Sequence, residues 1–121
     1  MTGPVDLADK FARIDERWRP KVAARLNGQE VKLVKVRGAF PWHAHAEADE
    51  LFLVWRGRIV LEFRDRAVAL EAGQMLVVPR GVEHRPIAEA EAELLLFEPA
   101  QTRNTGDVED PAFTAPNGVE V

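Results

Sequence analysis

Trp42-His43-Ala44-His45-Ala46-Glu47-Ala48-Asp49-Glu50, followed by an apolar run to Trp55 and then Gly57, is the most informative stretch of this chain. In an extended segment, residues two apart point to the same side, with Cα atoms about 6.5–7 Å apart. His43 and His45 therefore offer two imidazoles to one face. Glu50 opens the next strand-like run after a short acidic bend that returns the chain toward the histidines. The only other histidine, His84, follows the turn Pro79-Arg80-Gly81 at the start of a further strand. Three imidazoles and one carboxylate make a borderline-hard donor set suited to Mn, Fe, Co, Ni, Cu or Zn. An octahedral ion held by these four side chains keeps two positions for water, substrate or dioxygen. Asp49 is the substitute ligand if the bend is one residue tighter.

Outward from this stretch the chain reads as short strands with glycine and proline punctuation. Val22–Leu26 and Val31–Arg37 flank Asn27-Gly28, which supplies the positive φ angles of a tight hairpin turn. Glu50–Trp55 and Arg58–Arg64 flank Arg56-Gly57, where a second hairpin is expected. Ala67–Leu70, Gln74–Val78, His84–Ala88 and Glu93–Glu98 complete eight strands. Ile59, Leu61 and Phe63 alternate with more polar neighbours, as in a strand buried on one face. This pattern predicts an all-β sandwich or small barrel. Before it, Asp6 caps a run in which Leu7, Phe11, Ile14 and Trp18 recur at helical spacing, so a helix is expected up to Pro20. After Glu98 the periodicity is lost. Residues 99–121 hold three prolines, two glycines, two asparagines and four acids, and an extended or partly disordered tail is expected. The organisation is thus a helical segment over 1–20, a barrel over 21–98 and a tail over 99–121.

The composition excludes a good deal. The 121 residues include no cysteine and no tyrosine. There is no disulfide framework, thiol nucleophile, zinc finger or iron–sulfur cluster, and no phenol for acid–base or radical work. The net charge of −4 argues against nucleic acid as a partner. The charge is uneven, +3 over residues 1–66 and −7 over 67–121, which reads as a solvated surface and an acidic tail. No apolar run approaches the roughly 20 residues of a membrane helix. Met1–Lys10 lacks the basic start and apolar run of a signal peptide, so the cytoplasm is the expected location.

Taken together, His43-x-His45-x4-Glu50-x6-Gly57 resembles the first cupin motif, and Gly73-x5-Pro79-x-Gly81-x2-His84 resembles the second. The resemblance covers residues 30–98 and implies a small single-domain cupin of the conserved-barrel type. It implies a jelly-roll barrel, or double-stranded β-helix, in which the two motifs face each other across the interior. It also implies one divalent transition metal held by His43, His45, Glu50 and His84. Two departures touch turn geometry rather than ligands. Gly38 stands one residue closer to His43 than is usual, and Ala88 replaces the asparagine that often ends the second motif.

Cupins host many chemistries on one barrel. The missing cysteine and tyrosine remove thiol dioxygenases with a cysteine–tyrosine crosslink and epimerases that rely on tyrosine. About 30 residues before the barrel leave no room for a helix-turn-helix. The expected function is a metal-dependent isomerase, lyase or dioxygenase acting on a small oxygenated substrate, with His43 and Glu50 as candidate catalytic residues. The alternatives are a non-catalytic small-molecule-binding or sensor module and a metal-independent dehydratase-like cupin with His43 as general base. Phe40, Trp42, Phe52, Trp55, Met75 and Phe97 are candidates to line the cavity or pack the core. Arg58, Arg80, Arg85 and Lys35 are candidates to meet an anionic substrate, and Glu47 is a solvent-facing acid. A homodimer is expected because sheet edges need covering.

Overall fold

The computed structural model describes residues 3–121. Its strands are β1 (Lys21–Leu26), β2 (Gln29–Ala39), β3 (Glu50–Arg56), β4 (Arg58–Phe63), β5 (Ala67–Glu71), β6 (Met75–Val78) and β7 (His84–Pro99). All pairings are antiparallel, in the order β1-β2-β7-β3-β6, while β4 joins β5 and β7. The first part of β7 pairs with β4 through Val60–Ile87 to Phe63–His84, and its second part lies between β2 and β3. One long strand thus belongs to both walls of the jelly roll, and β1, β5 and β6 are its edges. The two strands expected over 84–88 and 93–98 are therefore one, and the hairpin expected at Arg56-Gly57 does not form, because β3 and β4 pair with different parts of β7 and not with each other. The register of β2 against β7 shifts between Val36 and Gly38, and this bulge turns the strand from one wall into the other. Gly57 sits inside the bend. A Cβ there would stand 3.0 Å from the Ala92 Cβ, and its φ of +87° already favours glycine.

Even-numbered residues of β2, β3 and β7 face the interior. Val34, Val36, Phe52, Val54, Leu94 and Leu96 join Ile59, Leu61 and Phe63 from β4 in one buried core. Leu33 faces the other way and is buried only because Phe11 and Ile14 cover it.

Those two residues come from an N-terminal segment that differs from expectation. Helix α1 spans only Leu7–Ala12, capped by the Asp6 carboxylate accepting from the Asp9 amide at 3.0 Å. The chain leaves the helix at Arg13, well before Pro20. Trp18 adopts φ +64°, its backbone N–H donates to the Lys35 carbonyl, and its indole N–H donates to the Arg37 carbonyl, each at 2.8 Å. Docking this segment along β2 lays the indole over the barrel mouth, a gain that helical spacing in the sequence does not register.

The last 23 residues also depart from expectation. They form a strap of turns wrapped over the barrel rather than an extended or disordered tail. Val121 and Val119 hydrogen-bond to the Val22 backbone. Asn104 donates to the Phe113 carbonyl at 2.8 Å and accepts from the Ala115 amide at 2.9 Å. Thr105, fully buried, bonds Thr114 and the Val108 carbonyl. Single polar residues supply the order here, with no periodicity to announce it. Among the described residues, no helix is long and apolar enough to cross a membrane.

Candidate metal centre

The two histidine-bearing segments are joined by their backbones. His43 and His84 form an antiparallel bridge, with N–H to O=C distances of 3.1 and 2.9 Å. Two residues along, the Gly81 amide donates to the His45 carbonyl at 2.8 Å. The Asp49 carboxylate accepts the Arg80 amide at 2.8 Å and its guanidinium at 3.3 Å. Asp49 thus fixes the acidic bend from outside, exposed, and the next residue, Glu50, turns inward as the first of β3.

His43, His45, Glu50 and His84 converge with one ligand atom each, all within 4.8 Å of one another. Each residue is at least 94% buried. The Nδ1 of His43 lies 2.9 Å from the Pro41 carbonyl and that of His84 2.9 Å from the Val82 carbonyl. A carbonyl can only accept, so each Nδ1 carries the proton and each Nε2 is left with a free lone pair. The Nε2 atoms of His45 and His84 stand 3.2 and 3.4 Å from Glu50 Oε1, yet none of these three buried atoms has an aligned hydrogen-bond partner. Buried polar atoms are ordinarily paired. Three that point at one spot from a donor set of imidazole and carboxylate fit a divalent transition metal.

The electrostatics agree. Burial, reinforced by the neighbouring His84, pushes the His43 imidazole down to about 4, so it stays neutral and able to ligate at neutral pH. Burial pushes the Glu50 carboxyl up, but the facing His45 imidazole and the neighbouring Glu98 carboxyl hold it well below the usual carboxylate range.

A layer of charge behind Glu50 carries no motif. Lys32 Nζ lies 3.1 Å from Glu98 and 3.8 Å from Glu30, donates to the Thr102 carbonyl at 3.3 Å, and is buried like both acids. Glu98 stands beside Glu50, and burial together with the Glu50 charge pushes its carboxyl well up. The signal was present in the alternation. Glu30 and Lys32 share a face with Val34 and Val36, and Glu98 shares one with Leu94 and Leu96.

The other candidates fall elsewhere. Phe40 and Phe52 line a chamber of about 30 Å³ beside His43 and Glu50. Trp55 and Met75 are exposed on the outer sheet face, where Phe97 is half-buried, because odd-numbered positions of β3, β6 and β7 point outward. Trp42 lies under the Arg64 guanidinium at 3.9 Å. Arg58, Arg80 and Arg85 pair with Glu71, Asp49 and Glu62. Lys35 borders an outer groove with Arg17 and Glu91, and Glu47 is exposed.

The sequence model described as "Cupin domain" matches residues 30–98. This chain belongs to the cupin family. Among solved structures, the cupin resembles a cupin-2 domain containing protein from Shewanella frigidimarina, at 44% identity and a TM-score of 0.78, covering 78% of this chain and 93% of that one. It also resembles protein NMB1881 from Neisseria meningitidis, at 31% identity and a TM-score of 0.75, covering 81% and 100%. A curated relative, the uncharacterized protein YdbB of Bacillus subtilis, is 36% identical over 63 residues, which are 51% of this cupin and 56% of YdbB. The cupin therefore spans little more than half the length of that relative.

Proposed function

We propose that this cupin holds one divalent transition metal at His43, His45, Glu50 and His84 and acts as an enzyme on a small oxygenated substrate, in isomerase, lyase or dioxygenase chemistry. The observation that carries this reading is the convergence of buried, unpartnered His45 Nε2, His84 Nε2 and Glu50 Oε1 beside a chamber. A bound metal supplies Lewis acidity toward a carbonyl or carboxyl oxygen. The chain's own residues do the rest. The Pro41 and Val82 carbonyls orient the His43 and His84 rings, and Lys32 anchors Glu98 behind Glu50, where burial and the Glu50 charge push the Glu98 carboxyl up. The apolar lining keeps bulk water out.

A metal-independent reading with His43 as general base is the weaker one. A base works best with a pKa near the working pH, and His43 is held at about 4. A binding or sensor module shares the metal and lacks turnover. A second copy of the cupin is the partner we assign to the outer sheet face, where Met75 and Val77 of edge strand β6 are 62% and 53% exposed beside Leu53 and Leu51.

Elemental analysis of untagged protein tests the centre, with about one transition metal per chain expected and none, even after reconstitution, overturning it. A substrate screen comparing wild type with Glu50→Ala separates enzyme from module. Turnover abolished by the substitution supports the enzyme, and melting shifts without turnover support the module.

A further inference from the structure

The chamber beside the centre has one polar wall and otherwise apolar ones. Val36, Phe52, Leu94 and Leu96 line its interior, Trp18 and Phe40 its outer end, and His43 and Glu50 close it on the side of the centre. Two further groups on its wall carry polar atoms, and both are already engaged. The Trp18 indole N–H donates to the Arg37 carbonyl. The Asn104 amide donates to the Phe113 and Trp18 carbonyls and accepts from the Ala115 amide. A ligand entering here finds hydrogen-bonding partners at one end only.

Size narrows the class further. A cavity of about 30 Å³ holds roughly two or three non-hydrogen atoms, since one water-sized sphere needs about 10–15 Å³. Charge narrows it again. Three imidazoles, which ligate as neutral donors, and the Glu50 carboxylate around a divalent ion leave one positive charge. A singly negative head group balances the site, and this step rests on the metal-centre reading.

We propose that the chamber selects a short monocarboxylate or 2-oxo acid, with its oxygens at the centre and a methyl or ethyl end among Val36, Phe52 and Leu94. Sugars and other polyols are rejected because the lining offers their hydroxyls no partner, at a cost on the order of tenfold or more in affinity for each stranded group. Aromatic acids are rejected on volume. Val36 is a specificity-determining residue, since it lines the chamber and is not one of the four converging side chains.

The test uses full-length untagged protein loaded with Co²⁺, read by the visible cobalt spectrum and by melting temperature. The probes are propionate, pyruvate, pentanoate, benzoate and glucose. Propionate and pyruvate are expected to change the spectrum and raise the melting temperature, with the other three at least tenfold weaker. Val36→Ala, which keeps the ligands and removes two methyl groups, is expected to improve pentanoate relative to propionate about tenfold or more. Normal cobalt uptake with benzoate or glucose binding as well as propionate overturns the chamber proposal alone. An unchanged pentanoate-to-propionate ratio in Val36→Ala overturns the role of Val36. Failure of the wild type to take up cobalt overturns the metal-centre reading and the proposal with it.

Discussion

Replacing Gly106 by alanine tests whether the C-terminal strap is part of the metal centre. Gly106 has φ +58°, and an added Cβ would lie 2.2 Å from the Ala44 carbonyl oxygen and 3.1 Å from His43 Cδ2. Ala44 is the residue between two of the converging histidines. Its amide donates to the Asp107 carboxylate and its carbonyl accepts the Asp107 amide, both at 2.9 Å. The obstruction is backbone, so a rotamer change cannot relieve it. Strap and histidine arm must part by about 1 Å to restore ordinary contact. The left-handed backbone alone costs alanine about 1 kcal/mol. Loss of the reciprocal pair adds about 1 kcal/mol per hydrogen bond. The total of about 3 kcal/mol corresponds to a fall of roughly 10–15 °C in melting temperature for a domain of this size. Disturbed support of ligating histidines costs about 10–100-fold in metal affinity. Calorimetry and zinc titration against a competing chelator measure both. Gly118→Ala is the control, because Gly118 has φ +75° and no heavy atom within 4 Å of an added Cβ. If the two variants match in melting temperature and zinc affinity, the strap does not brace the site and the reasoning is refuted.

In the metal-free protein His43 stays neutral down to about 4, whereas the unfolded chain takes up its proton near 6.5. The unfolded state binds more protons between those values, so stability is lost as pH falls from about 6.5 to about 4, by on the order of 3 kcal/mol in all. Urea denaturation at pH 7, 5.5 and 4 measures this, and a flat profile contradicts it. Lys32→Met leaves the buried Glu98 without its cation, while Glu30 keeps Arg25 at 3.0 Å, and is expected to cost about 3 kcal/mol. Glu98→Gln keeps the side-chain shape and removes a charge that burial already disfavours, so it should cost less, about 1 kcal/mol, and the reverse ranking in denaturation curves would refute the assignment. Met75→Glu places a charge in the exposed strip of β6 and β3 and is expected to convert a homodimer to monomer in light scattering, with its melting curve cooperative. A wild type that is already monomeric removes that interface.

The four converging side chains were legible because local spacing sets their arrangement. Alternate residues share a face at His43 and His45, a bend precedes Glu50, and a turn precedes His84. The hairpin at Asn27-Gly28 and the core face of β4 were legible for the same kind of reason, since short periods leave a mark on neighbouring residues. What escaped depends on long-range contact. The helix stops at Ala12 because Trp18 gains backbone partners on β2, and β7 runs unbroken because the bulge near Gly38 and the close fit of Gly57 against Ala92 let it bend. The strap is held by Asn104, Thr105 and Asp107, each acting through a partner that no local pattern reveals. Lys32 and Glu98 lie between these cases, since their alternation placed them inside while their charge suggested the surface.

Strand β7 touches β2, β3 and β4, and it contributes both His84 at its start and the wall opposite Glu50 near its end. A nascent chain that has emerged only as far as β6 therefore has neither a closed barrel nor a complete ligand cluster. Its apolar strand faces wait for one late segment, and barrel closure and assembly of the four-side-chain cluster become the same kinetic event. Closure of so many distant pairings is slow compared with local structure formation. A cell short of metal would accumulate folded apoprotein, not stalled half-barrels, because the hydrophobic face of β7 completes the core whether or not an ion is present.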